Sequence, residues 1–292
     1  MLSKGVKGLN DEFIALCLFN FPSFPAYKKF CSGRNRYRNV VCLDHSRVKL
    51  NNHPTRNDYI HANYVSTPFS ERRFICTQAP LDCTTFDFWF MIIQEKVRYI
   101  IMLTNFTEKG YTKSTLYFPF EANKTENYNG ITVKCITVCL KFEILVSMNF
   151  IQQLNTLTLF ISRSLVIEWP GVQSMLVTHL HWIDWPDHGI PNSYACPLLL
   201  LKMVRISSTP IVLHCSAGIG RTGCLVLIEL VLEKLLCKQI CSDMSLMLIE
   251  LRRQRANLVQ NNIVLLFLIN IFKVFLKHFL FFEIKTEKKK TS

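Results

Sequence analysis

An apolar run, Pro210-Ile-Val-Leu-His214, leads into Cys215. Five small or apolar residues follow, Ser216-Ala217-Gly218-Ile219-Gly220, and then Arg221-Thr222-Gly223. The order reads as a buried strand, a tight loop and a helix start. Gly218 and Gly220 permit backbone torsions that turn successive N–H groups inward. Such a nest at a helix N-terminus binds a tetrahedral oxyanion. Cys215 sits at its base, where inward dipoles, the helix end and Arg221 all favour thiolate over thiol. The planar fork of Arg221 suits two oxyanion oxygens at once, and the Thr222 hydroxyl suits donation to the sulfur. The bland alternative, a buried cysteine before a glycine-rich turn, explains neither the arginine nor its spacing.

Those residues need a scaffold. Residues 210–214 predict a short buried strand, with helices over about Thr222–Leu236 and Met244–Arg255. Upstream, a strand at Phe74–Cys76, a turn at Pro80, a helix over Thr84–Lys96 and a buried strand over Tyr99–Leu103 are expected. Residues 115–183 carry several β-rich stretches, 194–207 suit a helix, and a first helix is expected around Asp11–Phe19. Interleaved strands and helices indicate one α/β domain with a mixed sheet. Two stretches break the pattern. Leu140–Phe160 is longer than a strand connection needs, and after Asn262 the chain is nearly all Ile, Leu, Phe, Val and Lys. The latter fits either a structural helix or translated non-coding sequence.

The 292 residues, 49% hydrophobic, can bury a large core without disulfides or metals. A net charge of +13 favours anionic partners. The basic residues are scattered apart from Lys288-Lys289-Lys290, so no nucleic acid is expected as a partner. Twelve cysteines show no CxxC pair and no zinc-finger spacing, so no metal or cofactor is expected and the thiols read as reduced. Met1–Glu12 has no apolar core, which points to a cytoplasmic protein. Asn270, Lys273 and Lys277 interrupt Ile263–Ile284 on one helix face, so a helix packed on the domain is expected there. Membrane contact through it and the basic tail is allowed but not required.

His214 to Gly223 resembles the signature loop of the tyrosine-specific protein phosphatases, a loop shared with dual-specificity and lipid phosphatases. The resemblance implies a single-domain cysteine-phosphatase fold, a central twisted mixed β-sheet flanked by helices. It assigns Cys215 as nucleophile, with His214, Arg221 and Thr222 in the catalytic loop and Ser216 to Gly220 around the phosphate. Expulsion of a phenolate needs a general acid. His181–Pro191, containing Trp185-Pro186-Asp187, resembles the family's mobile acid loop, which makes Asp187 the acid and Trp185 a support. Tyr37, within Gly33-Arg-Asn-Arg-Tyr-Arg-Asn39, matches the tyrosine that walls a deep slot for the substrate ring. Asn39 stands where many members carry an aspartate that bonds the substrate peptide.

Asp58–Tyr64, Thr77–Leu81 and Asp87–Trp89 resemble core-forming motifs, with Ala79 where Gly is usual and Phe90 where Arg is usual. Glu108 matches the brace of the phosphate-binding arginine and Lys113 a partner of the acid loop. Gln260 matches the glutamine that places the hydrolytic water, whereas Val264 replaces a second glutamine. Arg252 and Arg255 match basic residues at the pocket edge or beneath the loop. Gly5–Leu9 and the variant Cys76-Thr-Gln-Ala-Pro80 resemble nematode single-domain members.

The implied domains are an N-terminal helical segment, 1–33, a catalytic domain, 34–272, and a helix end with a basic tail, 273–292. The implied activity is hydrolysis of protein phosphotyrosine by a monomer acting in signalling. Two alternatives stay open: a low-turnover phosphotyrosine-binding pseudophosphatase and a phosphoinositide phosphatase.

Overall fold

The structure is a computed structural model that describes residues 7–8, 11, 13–15, 33–142, 159–186, 189–191, 194–239, 241, 243–260, 267 and 271. Asp187, Val264 and most of Ile263–Ile284 lie outside the described residues. Within the expected first helix, residues 11 and 13–15 are helical.

Eleven strands are described: β1 Arg47–Lys49, β2 Tyr59–Thr67, β3 Ser70–Thr77, β4 Tyr99–Met102, β5 Thr107–Glu108, β6 Tyr111–Thr112, β7 Thr125–Tyr128, β8 Ile131–Phe142, β9 Leu159–Trp169, β10 Val172–Trp182 and β11 Ile211–His214. Nine form one sheet in the order β1-β2-β3-β11-β4-β10-β9-β8-β7, and β5 and β6 make a separate hairpin. The helices are α1 Thr85–Gln94, α2 Ala195–Val204, α3 Gly220–Leu236 and α4 Met244–Arg252. The mixed sheet with flanking helices is the architecture expected from the sequence.

The centre of the sheet explains the apolar runs. β11 lies parallel to both β3 and β4, and all four of its residues are buried. A strand covered on both faces reads as a continuous hydrophobic run. α3 is buried from Arg221 through Glu233, so it too is apolar nearly all round. Apolar side chains of α3, α2 and α4 join β3, β4 and β11 in one core, and α1 packs on another with β8, β9 and β10. Cys215 therefore leaves the sheet at the C-terminal end of its central parallel strand, where open α/β sheets place their ligands.

Several expected boundaries move inward. α1 ends at Gln94 because Lys96 turns left-handed, at φ 52°. α4 ends at Arg252, not Arg255, because the chain turns over Arg253–Asn257, with φ 60° at Asn257. The irregular stretch Leu140–Phe160 is strand at both ends: β8 runs to Phe142 and β9 begins at Leu159, paired with each other there. Its middle, 143–158, lies outside the described residues.

Candidate active site

The Cys215 loop is shaped by contacts that only glycine tolerates. Gly218 has φ 69°, and a Cβ there would lie 2.0 Å from the Thr77 carbonyl oxygen at the end of β3. At Gly223 a Cβ would meet the Val259 nitrogen at 2.3 Å. The loop is thus pressed between the end of β3 and the turn after α4. The Ala79 N–H donates to the Ser216 carbonyl at 3.0 Å, tying the β3 exit to the loop.

Arg255 supports the loop from beneath. It is fully buried; its Nε donates to the Gly218 carbonyl at 2.6 Å and its Nη2 to that of Ala217 at 3.1 Å. Nη1 reaches Asn63 Oδ1 at 2.9 Å. Burial lowers its pKa from the ordinary guanidinium value. These bonds tie Arg255 to the carbonyls of the loop.

Arg221, at the first turn of α3, is gripped from the side. Its Nη1 and Nη2 donate to the two carboxylate oxygens of Glu108, each at 2.7 Å, and Nη1 also reaches the Leu103 carbonyl at 2.7 Å. Glu108 accepts further bonds from the Thr104 hydroxyl and the Asn105 N–H, both at 3.0 Å. Burial alone would raise the Glu108 pKa, but Arg221 and these donors outweigh it and hold the carboxyl below its ordinary value.

His214 is fixed in one tautomer. The Cys215 carbonyl only accepts, so the His214 Nδ1, 3.1 Å away, carries the proton. Burial lowers the His214 pKa to about 3, so the ring is neutral and its Nε2 accepts. The Tyr117 hydroxyl, at 2.7 Å, is then the donor, and its oxygen accepts from His179 Nε2 at 2.8 Å. That leaves His179 Nδ1 as a lone pair, and no partner meets it among the described residues. No motif in the sequence pointed to Tyr117 or His179.

Tyr37 lies against the loop. Ser216 donates its hydroxyl proton to the Lys113 carbonyl at 3.0 Å, so the Tyr37 hydroxyl, 2.9 Å from Ser216 Oγ, is the donor of that pair. Arg36 anchors the turn before it by donating to the carbonyls of Ala79 and Pro80, at 3.3 and 2.7 Å. Asn39, two residues on, is exposed.

Gln260 is also at the loop: a Cβ on Gly220 would lie 3.1 Å from its Oε1. Arg252 donates from Nε to the Leu258 carbonyl at 3.0 Å and from Nη2 to that of Val259 at 2.9 Å. Trp185 is buried and donates from its indole N–H to the Gly189 carbonyl at 3.1 Å. The Thr222 hydroxyl is buried without a hydrogen-bond partner among the described residues, so the expected bond to the Cys215 sulfur is not made in this state.

The structure thus brings Tyr37, Glu108, the Lys113 carbonyl, Arg255 and Gln260 to the Cys215–Thr222 loop, while Arg252 holds the neighbouring Leu258 and Val259 carbonyls. Beside the buried Cys215, the guanidinium of Arg221 is held in place by Glu108.

Residues 32–273 match the family model described as protein-tyrosine phosphatase. The chain is 34% identical over 235 residues to tyrosine-protein phosphatase non-receptor type 2 of Mus musculus, covering 78% of this chain and 53% of that protein. It is 37% identical over 209 residues to the Lar-like tyrosine-protein phosphatase of Caenorhabditis elegans, covering 69% of this chain and 9% of that one. A solved structure reported for the PTPN18 fingerprint on HER2 tyrosine phosphorylation sites superposes with a TM-score of 0.70 at 26% identity, covering 82% of this chain and 81% of that one. The chain spans between 9% and 53% of the lengths of five curated relatives that it matches.

Proposed function

The chain belongs to the protein-tyrosine phosphatase family, and we propose that it hydrolyses phosphotyrosine on proteins through a phosphocysteine intermediate. The Cys215 thiolate attacks phosphorus in line. A P–S bond forms as the P–O bond to the tyrosine breaks, and Asp187 supplies the proton that makes the leaving group a neutral phenol. Arg221 and the loop N–H groups hold the equatorial oxygens, the electrostatic stabilisation on which phosphoryl transfer depends. Gln260 then places a water, donating and accepting at once. Asp187 takes the water's proton as the P–O bond forms and the thiolate leaves, assisted by the Thr222 hydroxyl. Tyr37 walls the slot, which admits a long aromatic phosphate and leaves phosphoserine short of the sulfur. Neutral His214 orients the Cys215 carbonyl, Trp185 steadies the acid turn, and Lys113 partners it.

The observation that carries this reading is the two-point grip of Glu108 on Arg221 beside a loop whose Gly218 admits no side chain. A fixed fork and fixed N–H dipoles need no reorganisation when charge develops. The same proposal takes 34–272 as the catalytic unit, with 1–33 leading into it and 273–292 trailing, acting as a cytoplasmic monomer on phosphotyrosine-containing proteins. Among the described residues no helix is long and apolar enough to cross a membrane.

The test is phosphate release, without added metal, from phosphotyrosyl peptide, phosphoseryl peptide and soluble phosphoinositide. Wild type, Cys215→Ser and Asp187→Ala are compared. Turnover of phosphotyrosine alone, lost in Cys215→Ser and cut about 100-fold or more in Asp187→Ala, is expected. A folded wild type that binds the peptide without turnover would make the protein a binding module. Preference for the phosphoinositide would make it a lipid phosphatase.

A further inference from the structure

Val259 is β-branched, yet its backbone is left-handed, with φ 61°. That conformation is costly for such a residue and persists only where its surroundings impose it. Two grips impose it here. The Val259 N–H donates to the Ile219 carbonyl at 3.0 Å. From the other side the Arg252 fork holds the Leu258 and Val259 carbonyls together. The next residue is Gln260, whose side chain lies over Gly220. The direction of that amide therefore follows from how firmly Arg252 is held.

Arg252 is half-buried, and its guanidinium carbon sits 5.5 Å from the centroid of the Phe13 ring. Phe13 is only 6% exposed and packs in the same core cluster as Leu258 and Val259. A ring beneath a guanidinium attracts it through the quadrupole and fixes its plane. Phe13 also lies upstream of residues 32–273, the span of the family match.

Resting on the reading of Gln260 given above, we propose that Phe13 is a positioning residue for the water step. Its ring holds Arg252, Arg252 holds the strained Leu258–Val259 turn, and that turn aims the Gln260 amide at the phosphocysteine. The N-terminal segment is then part of the catalytic unit, not a mere lead-in.

The kinetic signature is specific. Hydrolysis of the phosphocysteine follows release of the phenol, so slowing it lowers kcat and KM together and leaves kcat/KM unchanged. A merely structural defect lowers the active fraction, so kcat falls and KM stays. The experiment is stopped-flow and steady-state turnover of para-nitrophenyl phosphate by the full chain, as wild type, Phe13→Ala, Phe13→Tyr, Arg252→Lys and Gln260→Ala. Phe13→Ala is expected to slow hydrolysis about fivefold, with an enlarged burst and a parallel fall in KM. Phe13→Tyr keeps the ring and is expected to behave as wild type. Arg252→Lys, which keeps the charge but loses the fork, is expected to repeat the Phe13→Ala pattern and serves if Phe13→Ala does not fold.

If Gln260→Ala shows the parallel fall and the foldable Phe13 or Arg252 variants do not, the inference fails while the role of Gln260 stands. A loss as large in Phe13→Tyr as in Phe13→Ala also overturns it. If Gln260→Ala itself lacks the parallel fall, the reading of Gln260 fails and this inference falls with it.

Discussion

Glu108 and Arg221 meet through two parallel hydrogen bonds, with both side chains more than nine-tenths buried. A buried bidentate pair of this kind sets geometry more than stability, and removing one partner strands the other. Glu108→Gln keeps the shape and one acceptor but removes the charge. It is expected to lower kcat/KM for a phosphotyrosyl peptide about 10- to 100-fold, because the Arg221 plane is no longer fixed before substrate arrives. Unchanged kcat/KM in a folded Glu108→Gln protein would mean that the loop alone orients Arg221. Asn39 belongs to the same scale. It is exposed and uncharged, so any bond it gives a peptide backbone is a neutral one, weaker than a carboxylate's.

At the scale of elements, the loop depends on how closely β3 and the turn after α4 approach it. Gly218→Ala would drive a Cβ into the Thr77 carbonyl and impose a left-handed backbone on alanine. The expected cost is about 3 kcal/mol, read as a lower midpoint in urea unfolding and accompanied by loss of turnover. A wild-type midpoint would show that the β3 exit can move aside. The unusual Phe90 is explained at this scale too. It packs edge-on to Trp169, with centroids 5.3 Å apart, and to His53 at 4.9 Å, so an aromatic cluster fills the space under α1. Ala79 at the β3 exit is fully buried and still donates its N–H to the loop, so the extra methyl is accommodated where glycine is usual.

At the scale of the whole molecule, four histidines among the described residues are buried where the charged form is disfavoured. Burial lowers the pKa to about 4 for His61 and His181 and about 3 for His214, and it lowers that of His179 as well. In the unfolded chain each titrates near 6.5. Between that value and the folded pKa, the unfolded state binds more protons, so stability rises with pH. Acidification from pH 6.5 towards 4 is therefore expected to lower stability by up to about 1.4 kcal/mol per pH unit for each histidine. Glu108 adds to this further down: its folded pKa lies below 4.5, so its contribution is present above 4.5 and lost as pH falls through the folded value. Urea unfolding at a series of pH values checks the sign. A midpoint unchanged between pH 6.5 and 5 would mean that the rings do not stay neutral.

What could be read from the sequence was local. A strand buried on both faces must be apolar throughout, a nest needs glycine, and a thiol with an arginine six positions on needs no distant partner to declare its chemistry. Cys215, Gly218, Gly220 and Arg221 were legible for those reasons, and Tyr37, Glu108 and Gln260 through the motifs around them. What only the tertiary structure decided were the pairings between distant segments. Tyr37 and Ser216 are 179 positions apart, and Arg221 and Glu108 are 113 apart. The hydrogen-bonded line from His214 through Tyr117 to His179 left no trace in the sequence, because periodicity encodes which face of an element is buried but not which side chain it meets. The sheet order, with β11 between β3 and β4, makes those meetings. Burial then removes water as an alternative partner, so each ring and guanidinium takes the tautomer and orientation its neighbours allow.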